Sequence, residues 1–78
     1  VTAIAADGRH PSTRQIARWF DWEDLRLGKP RDVSMSCGQL AQDMVDELPD
    51  SPELTAGLRH LLEAKDCFVR AAIAAQET

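Results

Sequence analysis

The sequence predicts an all-α protein: an antiparallel helical hairpin with a short N-terminal helix laid across it, assembling as a homo-oligomer. Three observations point there. Apolar residues recur at the three-to-four spacing of a helix face over two long stretches, and nothing alternates at the period of two that a half-buried strand requires. The segment "LPDSPE" (48–53) stops one helix and starts another, and so short a connection makes the two helices antiparallel neighbours. The chain has 78 residues, and a lone core of that size seldom supplies more than about 3–5 kcal/mol. Association between copies is the expected staple.

Residues 1–10 are expected to form a flexible N-terminal segment, and 11–78 the single hairpin domain. "PSTRQIARWF" (11–20) reads as a short helix, with Ser12 as N-cap and Gln15 three residues later at capping-box spacing. Gly28 and Pro30 then punctuate a connecting segment over 21–31. The second helix is expected from Asp32 to Leu48, with Val33, Cys37, Leu40, Ala41, Met44, Val45 and Leu48 on one face. Ser36 and Gln39 would cap a later start. Gly38 within it costs about 1 kcal/mol relative to Ala, which predicts close packing against another backbone. Pro49 ends this helix. Ser51 caps the third, with Pro52 at the first helical position and Glu53 where the dipole favours an anion.

The third helix carries an apolar stripe of Leu54, Leu58, Leu61, Leu62, Phe68, Val69, Ala72 and Ile73, with Lys65 near its middle. An unpaired ammonium in a dry seam costs several kcal/mol. Three accounts are open. Lys65 snorkels past the stripe to water, crosses to Asp43, Asp46 or Glu47 on the second helix, or lies where subunits meet and aims at a shared polar centre.

The net charge of −4 argues against duplex nucleic acid as a partner, since phosphate neutralisation needs clustered Lys and Arg. The charge is unevenly spread. Residues 1–31 hold six bases against four acids, and 32–78 hold three against nine. The acidic third helix also disfavours a DNA-reading helix-turn-helix. No run reaches transmembrane length, and "VTAIAA" lacks the basic start of a secretory signal. An intracellular protein with Cys37 and Cys67 as unpaired packing thiols is expected. Two histidines and two cysteines at unrelated positions give no catalytic constellation and no zinc site, and no Gly-rich phosphate loop is present. Neither enzymatic activity nor a cofactor is expected.

"LPDSPELTAGLRHLLEAKDCFVRAAIA" resembles the second half of the phage hairpin-domain family that includes the anti-CBASS and anti-Thoeris sponges. The matching residues are Leu62, Glu63, Ala64, Phe68 and Ala71 to Ala74. Upstream, "WFDWEDLRLGKPRDVSMSCGQLAQDM" is similar to the family's aromatic-led segment followed by a helix with a Leu-Ala pair, here Leu40 and Ala41. The resemblance covers about residues 16–76 and rests on helix-packing patterns in a shared order. It implies an all-helical homo-hexamer in the cytoplasm of a bacterial host. Such a protein sequesters cyclic di- or trinucleotide immune signals without cleaving them.

A cyclic oligonucleotide presents flat bases and a ring of phosphates, which call for aromatic faces and for cations or N–H donors. The resemblance places the base-stacking aromatic on Trp19, with Phe20 as the near alternative. Both could equally dock the first helix through its apolar side. A family base near the start of the second helix falls on Ser34, a departure in which the hydroxyl could still donate, with Lys29 or Arg31 just upstream to supply charge. Arg59 aligns with the arginine that faces a trinucleotide on the symmetry axis, with His60 beside it. The other reading of these residues is a solvated polar face, with Arg59–Glu63 and Asp66–Arg70 as i,i+4 pairs and His60 a surface histidine. Lys65 completes the candidate set. The alternative function is a small helical oligomeric protein-interaction module with no nucleotide ligand.

Overall fold

The computed structural model describes residues 4–23, 25 and 27–76. Every regular element among them is a helix: α1 (Pro11–Ala17), α2 (Lys29–Glu47) and α3 (Pro52–Gln76). Helices α2 and α3 pack side by side, and α1 lies on α3. A Cβ built at Gly28, just before α2, would stand 3.5 Å from the Gln76 side chain at the end of α3. The core gathers Ala17, Phe20, Ala41, Val45, Leu54 and Leu58, with Leu61, Leu62 and Met44 packed against it.

The starts of the helices differ in instructive ways. Ser51 caps α3 as its sequence context predicts: its hydroxyl accepts from the Leu54 N–H at 3.0 Å, and Thr55 N–H donates to its carbonyl at 3.1 Å. Helix α1 starts at Pro11, so its N-cap is His10 rather than Ser12; the His10 ring accepts from the Ser12 N–H at 3.1 Å. Helix α2 begins at Lys29, three residues before the expected start, which leaves no capping role for Ser36 or Gln39. Pro30 lies within its first turn, where the missing N–H costs no helical bond. Gly28 precedes it with φ of 130°, a backbone conformation that side-chain-bearing residues rarely adopt.

The N-terminal segment is anchored from residue 4 onward. Ile4 and Ala6 are buried in the core. The Ala5 N–H donates to Gln42 Oε1 at 2.7 Å, and Gln42 Nε2 returns a bond to the Ala5 carbonyl at 2.9 Å. Arg9 donates to the Val45 carbonyl, to the Leu48 carbonyl at 2.6 Å, and to Asp50 Oδ1 at 2.9 Å. Residues 4–10 thus form a strap whose Arg9 supplies donors to two carbonyls at the end of α2. Within the segment 1–10, expected to be flexible, residues 4–10 carry these contacts, and residues 1–3 lie outside the described residues.

Gly38 admits the Trp22 ring most closely, with the Phe20 backbone also in reach. A Cβ built there would stand 2.8 Å from Trp22 Cζ3 and 3.2 Å from Cε3, with the Phe20 carbonyl at 3.6 Å. Gly38→Ala is therefore expected to destabilise by about 1 kcal/mol. Overpacking costs roughly 1–3 kcal/mol and outweighs a helix-propensity gain of about 1. Urea unfolding measures the loss, and the emission of the displaced Trp22 should shift with it.

Thr13 presents the opposite case. It is fully buried, and its Oγ1 has no hydrogen-bond partner among the described residues. Thr13→Val keeps the shape and removes a desolvated hydroxyl, so it is expected to stabilise by about 1 kcal/mol in the same assay.

Candidate functional site

The end of α1 turns tightly. Trp19 N–H donates to the Ile16 carbonyl at 3.0 Å and Phe20 N–H to the Ala17 carbonyl at 3.1 Å. Consecutive side chains leave this turn in different directions. Phe20 is 1% exposed and forms core; Trp19 is 57% exposed. The Arg18 guanidinium carbon stands 4.9 Å from the Trp19 ring centroid, a cation–π contact. With its ring enclosed, Phe20 offers no face to a base, which takes it out of the candidate stacking set.

Lys65 reaches this turn from α3. Its Nζ donates to the Trp19 carbonyl at 3.2 Å and pairs with Asp66 at 3.0 Å, with the side chain only 12% exposed. Asp43, Asp46 and Glu47 are not its partners, and it does not run out to water. The ammonium is satisfied by a carbonyl at the end of one helix and by its own neighbour in sequence. On α2, burial pushes the Cys37 thiol up, and the charge of Lys65 opposes this only in part, which favours the protonated thiol. Both cysteines are unbridged.

A second feature lies where α1, the 48–51 connection and α3 begin. A cleft of about 550 Å³ is lined by His10, Ser12, Asp50, Ser51, Thr55 and Arg59. His10 Nδ1 lies 2.8 Å from Ser12 Oγ, itself 3.2 Å from Thr55 Oγ1. Desolvation pushes the Asp50 carboxyl up, but the His10 N–H, at 3.0 Å, and the charge and hydrogen bond of Arg9 prevail and hold it below the usual carboxylate range. Asp50 therefore enters the cleft as a neutralised anion.

Arg59 is exposed and has no ion-pair partner among the described residues. Glu63, its expected i,i+4 partner, lies 3.3 Å from His60 instead. The expected Asp66–Arg70 pair is also absent: Asp66 takes Lys65, and Arg70 donates to Cys67 Sγ at 3.4 Å. His60 is exposed and is not in the cleft lining. Ser34 is 1% exposed and donates to the Asp21 carbonyl at 3.3 Å. Its hydroxyl holds the connecting segment and does not face solvent. Arg31 is half-buried in the first turn of α2.

The structure thus joins Lys65 to Trp19 directly, through the Trp19 carbonyl, and sets Arg59 in one cleft lining with His10, Ser12 and Thr55. Sequence reasoning passed over Arg18, whose adjacency to Trp19 was the available signal. It also passed over Arg9, whose partners lie about forty residues away and leave no local pattern. Among the described residues no cluster of three or more His, Cys, Asp and Glu is placed to hold a metal ion, and no helix is long and apolar enough to cross a membrane.

No protein-family model matches the chain, and neither a curated protein nor a solved structure matches it at a significant level.

Proposed function

We propose that this protein binds a cyclic oligonucleotide signal and withholds it without cleaving it, as an oligomer of helical hairpins in a bacterial cytoplasm. The observation that carries the reading is the Trp19 platform: a mostly exposed indole with a guanidinium 4.9 Å from its ring centre. The guanidinium lies over one face of the indole, and a base stacked on the other would have positive charge at hand for its phosphate. Arg59, without an ion-pair partner among the described residues and lining the cleft with Ser12, Ser51 and Thr55, supports a second anion contact. Phe20 and Ser34 have no part in this reading, and Arg31 stands as a flanking charge.

The test is a calorimetric titration with a panel of cyclic di- and trinucleotides, followed by recovery of the ligand after heat denaturation. Binding is expected, with intact ligand released. Trp19→Ala should weaken it by about tenfold or more, since stacking contributes about 1–3 kcal/mol per base, and Arg59→Ala should weaken it as well. Silence across the panel would sink the proposal.

A protein-interaction module is the second reading, favoured by a separate feature. Leu40, Met44, Leu48, Leu54, Leu58 and Leu61 line an apolar groove between α2 and α3, and Phe68 on the α3 stripe is 56% exposed. Under the sponge reading a second copy covers such surface, because the domain is small. Sedimentation separates the two: a defined closed oligomer suits the sponge, and a monomer or loose dimer suits the module.

A further inference from the structure

The geometry points to Lys65 as a positioning residue that fixes Trp19 for stacking, rather than as a contact for the ligand. This rests on the stacking role proposed for Trp19. Helix α1 has seven residues, too few to be stable alone in water, and the last carbonyls of any helix have no partner within it. Just beyond its end, the Trp19 carbonyl is bonded from outside by Lys65 Nζ at 3.2 Å, across 46 positions of sequence.

The residue so held is the one whose indole projects into solvent. Its backbone is pinned by two bonds of different origin, its own N–H to Ile16 and its carbonyl to Lys65, while its side chain carries Arg18. Asp66, at 3.0 Å, is the ammonium's second partner. A ligand contact by Lys65 would have to compete with both of these bonds, from a side chain only 12% exposed. A stacking surface on a loose helix end loses affinity to the entropy of ordering it, and this tie removes that loss beforehand.

Lys65→Met, Lys65→Arg and wild type, each carrying Trp22→Phe so that Trp19 is the sole indole, provide the test. The first readout is Trp19 fluorescence anisotropy without ligand. The second is affinity for the cyclic nucleotide that wild type binds most tightly. Lys65→Met should lower the anisotropy and weaken binding about tenfold, the scale of one hydrogen bond to a charged group, and Lys65→Arg should restore both. Unchanged anisotropy in Lys65→Met would overturn the proposal. So would lost affinity with unchanged anisotropy, which would make Lys65 a ligand contact. Lowered anisotropy restored by Arg, in a protein that binds no cyclic nucleotide, would uphold the positioning of Trp19 while removing the sponge reading.

Discussion

Phe20→Ala is expected to cost about 3–5 kcal/mol, the range for truncating a buried aromatic, and so to unfold the isolated chain. Phe20 is among the largest side chains that are fully buried here, and a core of this size has only about that much stability to lose. Far-UV circular dichroism against urea gives the result directly. Phe20→Leu, which keeps most of the volume, should lose much less. The contrast with Trp19 is the informative part. Adjacent aromatics at one turn are expected to separate cleanly, Phe20→Ala losing the fold and Trp19→Ala keeping it. Should Phe20→Ala stay folded at wild-type stability, the core drawn around it would be wrong.

The Arg9 clamp comes second in size. Arg9→Ala leaves the Val45 and Leu48 carbonyls without their charged donor, and hydrogen bonds to charged groups contribute about 1.5–3 kcal/mol. A loss of about 2 kcal/mol is expected, discounted for partial exposure of the site. The substitution should also change the acid limb of stability. The Asp50 carboxyl lies below its ordinary range when folded, so the unfolded chain binds the proton more readily. Its contribution is complete above the unfolded-state value and is lost as pH falls through the folded-state one. Thermal melts below about pH 4 should therefore fall less steeply in Arg9→Ala and in Asp50→Asn than in wild type. Parallel slopes would mean that the pair is screened away in solution.

Local chemistry made the three helices legible. Pro49, Ser51 and Pro52 announce the end of α2 and the start of α3, and Ser51 caps α3 as read. Pro30 misled because proline is punctuation in the middle of a helix but is welcome in its first turn, and only the backbone reveals which applies. The charge pairs on α3 were drawn from spacing alone, and His60, Lys65 and Cys67 offered competing partners at equal or shorter reach. At the candidate site the sequence does not separate an outward Trp19 from an inward Phe20, since one residue of helical phase decides between them and α1 ends three residues before the pattern suggests. The strap was illegible for another reason: Ile4, Ala6 and Arg9 form no periodic pattern, and their meaning lies wholly in partners on α2 and in the turn.

That separation in sequence sets an order of events. Helices α2 and α3 meet across a four-residue connection and can zip from it, whereas the strap's hydrogen bonds join residues 36 to 41 positions apart. Closing a long loop is costly until a docking surface exists, and that surface is the paired helices themselves. The strap should therefore arrive last in folding and leave first in local opening. Its amides at Ala5 and His10 would then exchange with solvent long before those of Leu54 and Leu58, and the protein would live part of its time as a helix pair with its N-terminal strap undone.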